Sequence, residues 1–457
     1  MGIQLGTSFM SVIKRIGATL SVVALTTLAG CASGPHPGPT AIPLRPTEAA
    51  DFEVADIEAL MTQMVDAGAP AVLVEIRDGE HVWSGVQGVR SKKTELPAKI
   101  TDPTRIASLT KPMVATILLQ LVEEGLVQLG DPIEDYLPGI VEVREVTVRQ
   151  LLNHSSGLPD YVPTLALEDP SAFTTQIVSP ISHEELVQRA LTQGWSFDPG
   201  TGWEYSNTNY IVLTMLIEEL TSSTLAEQLQ QRITEPLGLT STTLPAGTSM
   251  PENAAHGYVT EGALSIDVTE QDASLWSGAG GVVSTVSDVN TFMRALLTGE
   301  LIAPELLGQM LNLLPQGYGL GVQSRTDTCP AGDPVYLESS ANQAVETAAP
   351  GATDATPAAT GPAEPAESLP SYDFEVPEEG SGSVHDSDFG ELVQIGAPNH
   401  VYGHLGSGLG YRGLTMSSPD GIRQVTILWT VSPTDYSQDS RLDLAYELAD
   451  VALAIDC

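Results

Sequence analysis

Ser108 stands three residues before Lys111, in the run Ser108-Leu109-Thr110-Lys111. A serine hydroxyl is a weak nucleophile until a neighbour takes its proton. Residues three apart share a helical face, so a helix beginning here would place the Lys111 amine beside the Ser108 hydroxyl. The preceding Asp102-Pro103-Thr104-Arg105-Ile106-Ala107 reads as a turn into such a helix. Ser108 would then sit where unpaired backbone N–H groups favour developing negative charge. A desolvated lysine can serve as the base, because burial lowers its pKa. Taken alone, the run is equally a serine cap followed by a solvent-facing lysine.

Further runs add to it. Tyr205-Ser206-Asn207 follows Pro199-Gly200-Thr201-Gly202 and precedes Asn209-Tyr210 and an apolar helix. A Tyr and an Asn two apart in a loop project side by side into a shared cleft. Gly403-His404-Leu405-Gly406-Ser407-Gly408 lies on or beside a late strand, where glycines let a substrate backbone come close. The run Leu151-Leu152-Asn153-His154-Ser155-Ser156-Gly157-Leu158 reads as a structural helix end and turn. The eight histidines have no zinc-type spacing, and neither a metal nor any other cofactor is expected.

The elements that must hold these residues can be placed coarsely. An amphipathic helix fits 52–66, strands fit 71–76 and 81–86 around a turn at Asp78-Gly79, and a helix fits 108–124. The stretch 146–220 is mostly helix and loop, and another helix fits 285–298. Strands return at 400–404, 411–417 and 424–431, followed by a helix over 439–455. Strands at both ends with helices between them predict an α/β (α+β) fold. In it an antiparallel sheet is built from both chain ends and flanked by helices, with an inserted, mostly helical lobe. Residues 331–397 are rich in Ala, Pro, Glu, Thr and Ser, and no Lys or Arg occurs between Arg325 and Arg412. Such a composition buries too little apolar surface to offset chain entropy, so a disordered acidic insertion is expected there.

The 457 residues are 42% hydrophobic, enough for a sizeable core, and carry 58 acidic against 19 basic side chains, a net charge of -39. That charge repels nucleic acid, which is set aside as a partner. Lys14 and Arg15 precede an apolar stretch over 16–28 that is too short to remain as a span. It ends in Leu28-Ala29-Gly30-Cys31, which resembles a bacterial lipobox. Residues 1–30 are therefore expected to be a lipoprotein signal peptide, Cys31 the lipidated residue, and 31–50 a Pro/Gly-rich tether. The protein is expected to be secreted and lipid-anchored to the outer face of the bacterial cell membrane. Residues 51–457 form the remaining domain, interrupted by the insertion, and a monomer is expected. Of three cysteines, Cys329 and Cys457 then remain, and two thiols in an oxidising compartment usually pair.

Ser-x-x-Lys, Tyr-Ser-Asn and His-x-Gly, in that order, resemble the penicillin-recognising serine hydrolases: class C β-lactamases, serine D-Ala-D-Ala carboxypeptidases and related esterases. Residues 151–158, 203–209, 278–284 and the Gly-rich strand Gly317-Tyr318-Gly319-Leu320-Gly321 are also similar to that family. So is a Cys soon after that strand paired with one at the C-terminus, as in secreted actinobacterial-type carboxypeptidases. The likeness covers about 55–325 and 398–457. It implies that Ser108 forms an acyl-enzyme, that Lys111 and Tyr205 share the proton traffic, and that Asn207 binds the substrate amide. It places His404, Gly406 and Ser407 on the substrate-binding strand. The backbone N–H groups of Ser108 and Ser407 would make the oxyanion hole, worth roughly 3–4 kcal/mol per donor.

The chain departs from the carboxypeptidase pattern in three places. Leu405 and Ser407 replace two threonines of His-Thr-Gly-Thr, and Gln323 stands where an arginine would help hold a carboxylate, with Arg325 and Arg412 as possible substitutes. The expected substrate is a cell-wall stem peptide, cleaved by a D-Ala-D-Ala carboxypeptidase-like peptidase. An esterase or β-lactamase of the same fold, acting on an ester or a β-lactam, is the alternative, and a non-catalytic wall-binding lipoprotein a further one. Mass spectrometry of the mature secreted protein is expected to find Cys329 joined to Cys457; two unmodified thiols would refute the pairing.

Overall fold

The structure, a computed structural model, describes residues 54–455 except 142–143, 166–169, 262–263, 330–334, 339–391, 398 and 434–438. The expected signal peptide, Cys31, the tether, most of the 331–397 segment and Cys457 lie outside the described residues.

Ala71-Val72-Leu73-Val74-Glu75-Ile76 is apolar at nearly every position, so both faces of the strand it forms must be covered. It builds the strand Ala71–Asp78, buried throughout except at its last residue. Gly79, at φ +56, turns the chain into His81–Gly88. The main sheet has six antiparallel strands in the order His81–Gly88, Ala71–Asp78, Arg423–Trp429, Tyr411–Ser417, His400–Gly408, Gln323–Thr326. The first two strands come from early in the chain and the others from late in it, as the sequence predicts.

Alternation along the strands gives each face its own layer. Val72, Val74 and Ile76 meet Ile57, Met61 and Met64 of the helix Val54–Asp66 and Leu448 of the helix Ser440–Leu453. Leu73 points the other way, into a core with Leu109, Met113 and Leu118. At the centre of that second layer is the helix Thr110–Glu123, buried at every position from Thr110 to Leu119. The helix Asn207–Thr221 and the lobe around it complete the layer.

Four features differ from the sequence reading. The nucleophile segment is a single 3-10 turn, Ala107–Leu109, before the α-helix starts at Thr110. Gly317 to Gly321 is a turn rather than a strand, with positive φ at both end glycines; the edge strand begins at Gln323. Inside 331–397, Val335–Glu338 and Leu392–Ile395 pair as antiparallel strands, and Val393 packs against the helix Pro304–Met310 at Gly308. A small sheet of Val431–Pro433, Tyr258–Glu261 and Leu264–Asp267 was not anticipated, because strands of three or four residues carry too little periodicity to read.

The strand His400–Gly408 runs close beside the Ser108 turn because Gly406 has no side chain. A Cβ there would lie 2.6 Å from the Ile106 carbonyl oxygen and 2.7 Å from Leu109 Cδ1. Gly406→Ala is therefore expected to cost about 1–3 kcal/mol, as overpacking does. Thermal melting should show that loss together with a fall in Ser108 reactivity, since the strand and turn must part to admit the methyl group.

Candidate active site

The Ser108 turn is held from two sides. Ile106 N–H donates to the Val282 carbonyl at 3.0 Å, and Val282 N–H donates to Thr110 Oγ1 at 3.2 Å. Between these ties Ala107 takes φ +48, a left-handed conformation that costs a non-glycine residue about 1–2 kcal/mol. Facing it, Ser277 is at φ +35 and starts the short turn Ser277–Gly280. Gly278 lets that turn sit against the helix Asn207–Thr221, since a Cβ there would lie 2.3 Å from Thr214 Oγ1. The strain at Ala107 and Ser277 is thus borne by two segments that close on one point.

That point is the Lys111 amine, which has no exposure. Its Nζ lies 3.0 Å from Ser108 Oγ, 2.8 Å from Asn207 Oδ1 and 2.6 Å from the Ala279 carbonyl oxygen. The Tyr205 and Tyr210 rings flank it at 4.9 and 5.2 Å. Burial lowers the Lys111 pKa to about 7, against a smaller upward pull from Asp160. A neutral amine therefore exists beside Ser108 near neutral pH, which is what a general base requires. Burial raises the pKa of the Tyr205 hydroxyl above the ordinary phenol value, against a smaller downward pull from Ser108. Tyr205 is consequently a phenol that donates or passes on a proton rather than a ready base.

The structure brings four of the expected site residues onto one cleft and places two behind it. Ser108, Tyr205, Asn207 and Ser407 line one cleft of about 420 Å³. His404 is fully buried behind it. His404 Nδ1 donates to the Leu405 carbonyl at 2.7 Å, and its Nε2 accepts from the Tyr318 hydroxyl at 3.0 Å. Gly406 is likewise buried, against the Ser108 turn. Both residues support the wall rather than face the cleft, because their positions on the strand point toward the helical layer.

Three residues given no site role by the sequence reading adjoin the site: His154, Tyr318 and Asp160. His154, read as part of a structural turn, is at φ +64, and its ring centroid is 4.3 Å from that of Tyr205. Its Nδ1 accepts from Ser206 N–H at 3.2 Å and Asn209 Nδ2 at 3.0 Å, so its proton is on Nε2, which donates to Tyr318 Oη at 3.0 Å. Tyr318 then donates to His404. This chain needs both imidazoles neutral. Burial, with the Lys111 charge next, lowers His404 to about 3 and puts His154 well below its ordinary value. Asp160, the third, accepts from Asn207 Nδ2 at 2.9 Å and from Val162 N–H at 3.1 Å.

The walls of the cleft are mostly apolar: Val162, Trp203, Trp276, Leu405, Leu409 and Tyr411. Gln323 Oε1 accepts from Leu405 N–H at 2.9 Å, so Gln323 braces the wall. Neither cation suggested as a carboxylate holder is there. Arg325 stacks on Tyr446 and lies 3.3 Å from Asp450, while Arg412 lies 3.5 Å from Asp439. Arg105 does line the cleft, but its Nη2 donates to the Gln271 carbonyl at 2.7 Å. Among the described residues, no group of three or more His, Cys, Asp or Glu is arranged to hold a metal ion. At the far end of the sheet, Cys329 Sγ lies 3.2 Å from the Leu453 carbonyl oxygen, beside the helix Ser440–Leu453. Its expected partner, Cys457, lies outside the described residues.

Comparison with known proteins gives a consistent picture. A family model described as Beta-lactamase matches residues 57–449. Penicillin-binding protein 4* of Bacillus subtilis (strain 168) is 31% identical over 240 residues, which is 49% of this chain and 51% of that protein. Esterase EstB of Burkholderia gladioli is 30% identical over 215 residues, 44% of this chain and 54% of that one. The chain thus spans about half the length of these curated relatives. Among solved structures, a D-stereospecific amidohydrolase from Streptomyces sp. is 27% identical with a TM-score of 0.63, covering 84% of this chain and 96% of that one.

The lowered Lys111 pKa fixes a pH dependence. The base must be unprotonated, so kcat/KM is expected to rise with pH through about 7 and to fall away on the acid side. Lys111→Met, which keeps the bulk and removes the amine, is expected to lose about 10²–10⁴-fold in kcat/KM. An acid limb near pH 4 would instead assign the base to a carboxylate.

Proposed function

The chain belongs to the beta-lactamase family, and within it we propose a serine hydrolase that cleaves amide or ester bonds of small D-amino-acid compounds through an acyl-enzyme. The observation that carries this reading is the buried Lys111 amine 3.0 Å from Ser108 Oγ, at the floor of an apolar, aromatic-walled cleft. Lys111 takes the Ser108 proton as Oγ attacks the carbonyl carbon. The oxyanion that forms is held by the backbone N–H groups of Ser108 and Ser407. The tetrahedral intermediate then collapses: the bond to the leaving group breaks, and Tyr205 delivers a proton to the departing nitrogen or oxygen and takes up in its place the proton that Lys111 had received. Water attacks the acyl-serine in the second half, giving its proton back through the same groups and releasing the acid.

The apolar wall supports a substrate whose acyl part carries an apolar or aromatic side chain. The D preference rests on the Streptomyces amidohydrolase, which is D-stereospecific by name. A D-Ala-D-Ala carboxypeptidase-like peptidase is the narrower reading, and it needs a group to hold a C-terminal carboxylate. Arg105 is the cation placed to do so: its Nη2 donates to the Gln271 carbonyl, while its Nε and Nη1 are buried without a hydrogen-bond partner among the described residues. An esterase reading is favoured by Leu405, which makes that wall apolar, and by the likeness to EstB. The lipobox-like Cys31 supports a lipid-anchored location outside the cell membrane, where wall peptides are within reach.

Fluorescent penicillin is expected to label the protein covalently and to leave Ser108→Ala unlabelled; equal labelling of the variant would refute the acyl-enzyme. Turnover of an aromatic D-amino acid amide, a short-chain p-nitrophenyl ester, a D-Ala-D-Ala peptide and a cephalosporin then separates the substrate classes. The amide or the ester is expected to exceed the D-Ala-D-Ala peptide by about 10–100-fold in kcat/KM, the scale of setting a terminal carboxylate against the apolar wall. A D-Ala-D-Ala peptide turned over best would restore the carboxypeptidase reading.

A further inference from the structure

We propose that Asp160 is a positioning residue: by accepting the Asn207 Nδ2–H it fixes that amide with its oxygen toward Lys111, and so aims the Lys111 lone pair at Ser108. The inference rests on the acyl-enzyme reading above and concerns how its base is held.

A neutral amine has two N–H donors and one lone pair. Two of the three neighbours of Lys111 Nζ can only accept: the Ala279 carbonyl oxygen at 2.6 Å and, in the observed orientation, Asn207 Oδ1 at 2.8 Å. They take both hydrogens. The lone pair then faces the remaining neighbour, Ser108 Oγ, which donates to it at 3.0 Å. The arrangement holds only while the Asn207 amide presents its oxygen. Turned over, the amide would offer Nδ2–H to the amine and compete with Ser108 for the lone pair.

A primary amide has nearly the same shape either way round, so its hydrogen-bond network must choose the orientation. The Asp160 carboxylate makes that choice. Ionised, it accepts only, and it takes Asn207 Nδ2–H at 2.9 Å. It is itself held in place. Val162 N–H donates to it at 3.1 Å. On either side of it, Thr208 Oγ1 donates to the Pro159 carbonyl at 2.7 Å and accepts from Tyr161 N–H at 3.0 Å. The residue after Asn207 is thereby stitched to the residues flanking Asp160.

A purely structural role competes with this one, because Asp160 holds the side chain of the first residue of the helix Asn207–Thr221, where the Ser206 side chain makes no cap hydrogen bond. Charge separates the two. Lys111 is faced by Asp160, by Ser108, Tyr205 and Asn207, by Tyr210 from the helix, and by the neutral His154 and His404. Asp160 is the one among these that raises the Lys111 pKa. Removing its charge should therefore move the acid limb of kcat/KM to lower pH, whereas a frayed helix would leave that limb in place.

The test measures the rate constant for acylation of Ser108 by fluorescent penicillin, and the pH profile of ester hydrolysis, in the full chain and in Asp160→Ala and Asp160→Asn, with thermal melts as controls. Asp160→Asn loses the charge and keeps one acceptor oxygen for Asn207, while its amide nitrogen replaces the oxygen that faces Val162 N–H. Asp160→Ala is expected to lose about 100-fold in acylation with KM changed little, the scale of a misdirected base, and Asp160→Asn to stay within about fivefold. Both should shift the acid limb downward. The proposal is overturned if Asp160→Ala acylates within about twofold of the parent. It is also overturned if Asp160→Asn falls as far as Asp160→Ala with the limb unmoved. If Asp160→Ala does not fold, the Asp160→Asn limb decides alone: a downward shift supports the proposal and an unmoved limb overturns it. A parent protein that neither acylates nor turns over ester overturns the acyl-enzyme reading and this role with it; a reactive parent with unaffected variants overturns only the role of Asp160.

Discussion

The architecture turns on one buried amine. Lys111 lies in the helix Thr110–Glu123 with no exposure, and a lysine in such a place cannot hold its proton at the ordinary pKa. Its lowered value, about 7, corresponds to a destabilisation of the charged form on the order of 5 kcal/mol. The surroundings make that tolerable by offering acceptors to the neutral form: a backbone carbonyl from the Ser277–Gly280 turn and the side-chain oxygen of Asn207. Two separate chain segments must close on one helix, and much of the helical lobe exists to let them.

Close approach there is obtained with strain and with missing side chains. Ala107 and Ser277 both hold left-handed backbones, and Gly278 and Gly406 admit neighbours where a Cβ would collide. The cost is met by the two apolar layers on either face of the sheet, which fix the positions of the Ser108 helix and the strand His400–Gly408. A second layer of polar groups then restricts the aromatic side. His154, Tyr318 and His404 form a directed chain of hydrogen bonds whose tautomers are set by their outer partners, and Tyr205 stacks on its first member. Because burial keeps both imidazoles neutral, the chain can order the site without adding charge next to the lysine.

Much of the fold was legible because its signals are local. The apolar run at 71–76, the helical spacing after Lys111 and the last two strands each fall within two residues of the observed elements, while the strand read over 400–404 runs on to Gly408. The elements that escaped are those with short or mixed signals: the Tyr258–Glu261 and Leu264–Asp267 hairpin, the Val335–Glu338 and Leu392–Ile395 pair, and the Gly317–Gly321 turn. In the site, Ser108, Lys111, Tyr205 and Asn207 carry motif spacing in the sequence, and the structure brings them together. His154 was passed over because a histidine in a helix-end turn has the same sequence appearance whether it packs or orders a neighbour. Asp160 carried no signal, since its partner is 47 residues away.

The sequence by itself determined which groups could react. Ser108 and Lys111 are brought onto one face by helical geometry, which is a property of the chain over four residues. The sheet built from both ends follows equally from period and order. Only the tertiary structure decided what state those groups are in and what surrounds them. Burial lowered the Lys111 pKa, long-range hydrogen bonds oriented Asn207, and strand alternation turned His404 away from the cleft while leaving Leu405 and Ser407 on it. Arg325 and Arg412 look equally suited to a carboxylate in the sequence, and their pairing with Asp450 and Asp439 removes both from consideration. Desolvation and contact between distant segments depend on the packed whole, so no reading of adjacent residues could supply them.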